Sequence, residues 1–290
     1  MGTTWSARIV DAPADCAGAI HSVLAQIIGE MSNWEPGSDV SRFNRAPVGG
    51  WVALPDTLLH VLGAGLDIAR QSDGAFDPAI GRLVDDWGFG PLESAGRAPA
   101  TSSPFPWQSI DIEPGRARRR RDVLLDLSGI AKGFAVDALA GALGQMGLRH
   151  FVVEIGGELR GAGVKPDLQP WWVDVEAPPG LAVPALRVAL CGLSIATSGD
   201  YRRFRIEDNA RLSHSIDPTT GRPVANDIAS VTVLHDSAML ADAWATAITV
   251  MGHDRGMALA TQQGLAVRLV RRMDDEAQEY MTPALAAMLD

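Results

Sequence analysis

From Phe151 to His235 the chain offers one short strand-like apolar run after another: "FVVEIGGELRGAG", "WWVDVEA", "LRVALCGLSIATSG" and "ASVTVLH". Strands that succeed one another so directly favour a mixed α+β architecture over a doubly wound parallel sheet, where helices should alternate with strands. "TWSARIVDA" reads as an opening strand and "LAVRLV" as a late one, and "VLLDL" reads as a short buried strand. Four segments have the period of helices. "DCAGAIHSVLAQIIGEMSNW" should end near Met31. In "DTLLHVLGAGLDIARQSDG", Leu58, Leu62, Leu66 and Ala69 fall on one face, with Gly74 just past the end. "GIAKGFAVDALAGALGQMG" carries Gly147 as a C-cap, and "AMLADAWATAITVMG" follows "ASVTVLH". Residues 91–107, with Gly96 and four prolines, read as a loop and mark the expected boundary if the single 290-residue domain has two lobes.

Composition narrows the function classes. A formal charge of −10 disfavours nonspecific binding to nucleic acid, which needs a basic face. The one basic run, "RARRRR" at Arg116–Arg121, lies between "IDIEPG" and "VLLDL" and reads as a solvated hairpin tip, with a docking patch for an acidic partner as the alternative. Two cysteines, Cys16 and Cys191, lie far apart and supply neither a disulfide framework nor a thiolate zinc site. "MGTTWSARIVDAPAD" lacks the apolar core of a secretory leader, and no apolar run of about twenty residues is present to span a membrane. The expectation is a soluble chain, cytoplasmic as written and periplasmic if a leader has been removed.

Three stretches could carry chemistry. In "DLSGIAKGFAVD" (126–137), Ser128 is a candidate N-cap, which would leave the amides around Gly129 and Ala131 pointing outward at a helix start, a setting that favours an anion. Lys132 adds a formal positive charge there. An ordinary capped helix whose lysine reaches solvent is the structural alternative. In "ADAWATA", Asp242 and Thr246 are four apart on a helix and share a face, as a hard cation such as Mg2+ would require. An Asp favouring the helix dipole and a core-facing Thr would look the same. In "HSIDPTTGRPV" (214–224), Asp217-Pro218-Thr219-Thr220-Gly221 is a strong turn sequence, and His214 precedes it at a strand end, as a structural histidine or as a base. "SDGAFDPAIGRLVDDWGFG", "VVEIGGELRGAG" and "SIATSGDYRR" set small residues beside polar ones, as ligand-lining backbone and tight turns both do.

Taken in order, these segments resemble the ApbE family of FAD:protein FMN transferases. The resemblance runs from "MGTTWS" through "MSNWEPGSDVSRFN", "GAFDPAIGRLVDDWGFG", "LDLSGIAKGFAVD", "EIGGELRGAG", "SIATSGDYRRF" and "HSIDPTTGRPV" to "ADAWATAITVMG". That is nearly the whole chain. Ser128 departs from it, since the family often has glycine there.

The resemblance implies a two-lobed fold with mainly antiparallel sheets flanked by helices, binding FAD as substrate in a cleft between the lobes. By motif match, Met31, Ala75, Phe76, Asp77, Asp126, Lys132, His214 and Ile216 would contact the flavin nucleotide. The backbone carbonyl of Gly129 and the side chains of Asp242 and Thr246 would hold Mg2+. The implied reaction passes FMN from FAD to a Ser or Thr hydroxyl of an acceptor protein, with AMP leaving. His214 is the candidate base, because neutral imidazole is available near pH 7. Hydrolysis of FAD to FMN and AMP, and a non-catalytic FAD-binding or electron-carrying module, are the alternatives.

Overall fold

The computed structural model describes residues 2–92, 106–201, 204–207, 210–273 and 276–289. Most of the loop and lobe boundary expected at 91–107 lies outside the described residues. The chain forms two compact units, one built from Gln26–Ala131 and Arg203–Ala225 with Met1, the other from Gly2–Ala25, Lys132–Arg202 and Asn226–Asp290. The division passes through helix α1 (Cys16–Met31) and just after the first residue of helix α5 (Ala131–Gln145).

In the first unit, α2 (Asp39–Arg45), α3 (Asp56–Gln71) and α4 (Gly81–Asp86) accompany three small antiparallel sheets. Helix α3 buries the expected face, Leu58, Leu62, Leu66 and Ala69, and Gly74 follows it at φ 78. The arginine run is not a hairpin tip. Pro114 and Gly115 make the turn, and Arg116–Arg119 is the return strand, paired with Ile110–Glu113 and Val52–Ala53. Its cations are spent inside the unit. Arg116 and Arg118 lie over the Trp51 ring and pair with Glu113 and Asp111, while buried Arg119 donates to the carbonyls of Ala46 and Val123. Leu125 and Leu127 of "VLLDL" are buried, but among the described residues the segment forms no ladder beyond one bridge between Leu124 and Ile80. Side chains satisfy its backbone instead, with Asn44 accepting from Leu125 N–H and Asn33 and Asn44 donating to Leu125 C=O.

The second unit is organised by a seven-stranded sheet whose spatial order is its chain order: Trp5–Ile9, Phe151–Ile155, Glu158–Ala162, Ser194–Gly199, Ile228–His235, Ala266–Met273, Glu276–Met281. Every neighbouring pair is antiparallel. Along Ile228–His235 seven of eight residues are buried, so the sheet is covered on both faces at this central strand. On one face, Ile195, Leu234 and Ala266 pack with the hairpin Trp171–Val175/Leu186–Leu190 and with Leu285 of α8 (Pro283–Leu289). On the other lies α6 (Ala238–Met251), whose Thr246 hydroxyl is 3.3 Å from that of Ser198. Helix α7 (His253–Gln262) follows α6. Among the described residues no helix is long and apolar enough to cross a membrane.

Candidate functional site

Helices α5 and α6 are held together by two carboxylates, each on one helix and facing the first turn of the other. Asp137 of α5 accepts from Ser237 Oγ at 2.7 Å and from the amides of Ala238 and Met239 at 3.0 Å, at the start of α6. In return, Asp242 of α6 accepts from the amide of Gly133 in α5 at 3.1 Å. Both satisfy amides that a helix start leaves without an internal partner. Gly133 is what permits the approach. A Cβ there would stand 2.6 Å from the Ala238 carbonyl carbon and 2.8 Å from Met239 Cα, and closer still to the Ala238 oxygen.

The same approach brings charge together. Lys132 Nζ donates to Glu158 Oε1 at 2.7 Å and lies 3.4 Å from Asp242 Oδ1. Glu158 opens the strand after the Gly156–Gly157 turn, and both glycines have positive φ. Glu158 is 2% exposed and Asp242 3%. Desolvation pulls the Lys132 pKa down, but Asp242 and Glu158 outweigh it and hold the ammonium above the ordinary lysine value. Burial pushes the Glu158 carboxyl up against the pull of Lys132, and the neighbouring Asp242 adds to the rise.

Two buried carboxylates thus face one ammonium, and among the described residues Glu158 Oε2 has no hydrogen-bond partner. With both acids ionised the site carries a surplus negative charge, which at low dielectric is costly unless a proton on Glu158 or a cation offsets it. Among the described residues no group of three His, Cys, Asp or Glu is set to hold a metal. Mg2+ does not need one, because it keeps several waters and takes one or two protein oxygens. The hard oxygens of Asp242 and Thr246, with the uncompensated charge beside them, fit that ion.

The remaining expected residues belong to the first unit. Met31 ends α1, buried. Ala75 is half-buried, and Phe76 and Asp77 are buried. The Asp77 carboxylate is committed to backbone: Oδ1 accepts from Ala79 N–H at 2.7 Å and Oδ2 from Trp107 N–H at 3.1 Å. Burial pushes its pKa to about 7, against the effect of those two hydrogen bonds. Asp126 N–H donates to Pro78 C=O at 2.8 Å, which sets the Asp126 segment beside the Ala75–Asp77 turn.

The helix start differs from the expected one in detail. Asp126 Oδ1 accepts from Ser128 N–H, forming a local turn, and Ala131 N–H is bonded to Leu127 C=O at 2.8 Å. So the Ala131 amide is not free. The first-turn amide capped by a side chain is that of Gly133, and the cap is Asp242 rather than Ser128. Gly129 is half-buried, three residues before Lys132.

His214 lies between the strands Ala210–Ser213 and Ile216–Asp217, half-buried, its ring edge-on to Phe89 with centroids 6.4 Å apart. Ile216 is buried and pairs with Pro223. The turn beyond it forms as its sequence requires, with Gly221 N–H bonded to Asp217 C=O and Gly221 at φ 67. Trp87 Nε1 donates to Gly221 C=O at 2.8 Å. The "DDWGFG" segment therefore supports both the turn and His214, through Trp87 and Phe89.

Sequence reasoning did not single out Glu158, Asp137 or Gly133, although each lies within a quoted motif. The one signal available was an acid directly after a Gly-Gly turn, at "GGE".

A model of the ApbE family matches residues 1–269 of the chain. An FAD:protein FMN transferase of Vibrio cholerae is 35% identical, the match spanning 100% of this chain and 90% of the relative; that of Escherichia coli K12 is 31% identical over 100% and 87%. The crystal structure of the Pseudomonas stutzeri flavinyl transferase ApbE, apo form, superposes with a TM-score of 0.89 at 34% identity, covering 99% of this chain and 94% of the other. The ApbE protein of Thermotoga maritima gives 0.83 at 28%, covering 98% and 94%.

Proposed function

Because the chain belongs to the ApbE family, we propose that it transfers FMN from FAD to a Ser or Thr hydroxyl of an acceptor protein, in a reaction that depends on Mg2+. The observation that carries this reading is half-buried Lys132 set between the buried carboxylates of Glu158 and Asp242, with Thr246 one turn on from Asp242. It supplies a fixed positive charge and an uncompensated negative one side by side, as a site for both a phosphate and a divalent ion requires.

The acceptor oxygen attacks the FMN-side phosphorus of FAD. A phosphoester bond forms there, the pyrophosphate P–O bond breaks, and AMP leaves with the electron pair of that bond. His214 takes the hydroxyl proton. Lys132 offsets negative charge that builds on the transferring and leaving groups. Asp242, Thr246 and the Gly129 carbonyl would hold Mg2+, which when bound supplies Lewis-acid stabilisation to phosphate oxygens. Asp126 accepts hydrogen bonds from the nucleotide, and Met31, Ala75, Phe76 and Ile216 line the flavin.

Co-expression with candidate acceptors followed by mass spectrometry tests the proposal. An FMN-sized mass increment on a Ser or Thr is expected. Rapid release of AMP from FAD and Mg2+ without acceptor, with no modified protein, would instead identify a hydrolase. Bound FAD that is not consumed on adding Mg2+ would identify a non-catalytic flavin binder.

A further inference from the structure

We propose that Glu158 is a positioning residue: it holds the Lys132 ammonium by the shorter ion pair and thereby leaves the Asp242 carboxylate available to a divalent cation. The inference rests on the reading of Asp242 as a cation ligand.

Lys132 lies between two carboxylates that it does not share equally. Its Nζ is 2.7 Å from Glu158 Oε1, but 3.4 and 3.5 Å from the two oxygens of Asp242. Among the described residues Asp242 accepts one well-formed hydrogen bond, from Gly133 N–H through Oδ2. Oδ1 has, among the described residues, the long contact to Lys132. Without Glu158 the ammonium would have a single carboxylate to neutralise it and would close on Asp242, competing directly with any cation there.

Stability alone does not account for Glu158. A buried ion pair is weak evidence for stabilisation, and one carboxylate suffices to neutralise one lysine. A second one, on a side chain 2% exposed with Oε2 unpartnered, adds desolvation cost. Its placement is nevertheless specific. Glu158 directly follows the Gly156–Gly157 turn and pairs with Ile155 across it, so the hairpin fixes where the carboxylate stands. Two residues on, Arg160 leaves the same face of that strand and donates to Asp137 at 2.8 Å. One strand therefore engages both of the acid-capped helix starts, through Lys132 of α5 and through Asp137, the acid that caps α6.

The test is Mn2+ binding to the FAD-free protein at pH 8, read by electron paramagnetic resonance, with no turnover involved. Wild type is expected to bind Mn2+ and Asp242→Asn to lose it. If wild type binds none, or Asp242→Asn binds as wild type does, the cation-ligand reading fails and takes this inference with it. With that reading intact, Glu158→Gln is expected to weaken Mn2+ binding by roughly 10- to 100-fold, as removal of a supporting partner does. Adding Lys132→Met to Glu158→Gln should recover most of the loss, since no ammonium then competes for Asp242. An unchanged affinity in Glu158→Gln overturns the inference, as does a double variant that fails to recover. Should Glu158→Gln not fold, the variant Lys132→Met/Glu158→Met strands no buried charge at this pair and decides the matter. Retained Mn2+ binding there supports a positioning role, and lost binding makes Glu158 a ligand and ends it.

Discussion

Asp242 accepts the amide proton of Gly133, so the carboxylate proposed to hold a cation also closes the first turn of α5. The two duties separate by substitution. Asp242→Asn keeps an acceptor for Gly133 N–H and removes the charge. It should fold nearly as wild type and lose Mg2+-dependent FAD consumption. Asp242→Ala removes both, and it should also lose about 1–3 kcal/mol of stability from the unpaired Gly133 amide. Thermal melts beside activity assays check this. Equal destabilisation by both variants would show that charge, not the hydrogen bond, closes the turn.

Gly133 should be the least replaceable glycine of α5. Its Cβ would meet the backbone of Ala238 and Met239, which cannot rotate aside, whereas one at Gly141 meets nothing within 4 Å. Gly133→Ala is expected to cost on the order of 1–3 kcal/mol or more through overpacking. Gly141→Ala should be neutral, or stabilising by about 0.5–1 kcal/mol through helix propensity. Urea unfolding of the two variants, made in the same helix, isolates crowding from propensity. A similar gain in both would mean that the helices part easily.

What the sequence made legible follows from how far apart the causes lie. Helix α3 was readable because Leu58, Leu62, Leu66 and Ala69, all buried, recur at the helical period. The turn at Asp217–Gly221 was readable because Pro218 and Gly221 act on their own backbone. The strand Arg116–Arg119 was not, since what stabilises it is Trp51 beneath two arginines and acids across the ladder, none of which a run of cations announces. At the site, Asp242 and Lys132 were paired only through the resemblance of whole motifs. Glu158 and Asp137 stayed hidden because a single acid has no periodicity, and their partners lie 26 and 100 residues away.

Asp77 should make stability fall as pH rises through neutrality. Burial raises its folded-state pKa to about 7, against about 4 in an unfolded chain. Between those values the folded state binds more protons than the unfolded one, so the Asp77 contribution is fully present below about pH 4 and lost as pH climbs through about 7. The ceiling is about 4 kcal/mol, since each tenfold change in proton affinity is worth about 1.4 kcal/mol. Asp77→Asn cannot titrate. Its stability relative to wild type should therefore improve between pH 5 and pH 8, whatever its absolute loss from a missing acceptor at Ala79 or Trp107. Parallel profiles in urea unfolding would place the ionised carboxylate in the folded protein throughout.

His214, the proposed base, stands just before the Asp217–Gly221 turn. The turn beyond it is closed by Gly221 and Trp87, through hydrogen bonds that leave the imidazole out, and the Phe89 ring meets it only edge-on. His214→Ala should therefore leave that turn and FAD binding nearly intact, as flavin fluorescence titration would show. It should slow single-turnover FMN transfer by about 10²–10⁴, the usual cost of losing a general base. His214→Gln, which can hydrogen-bond but is a poor base, should be as slow as the alanine variant. Transfer at the wild-type rate in either would assign the proton to another group. Weakened FAD binding at an unchanged rate would make His214 a nucleotide contact and nothing more.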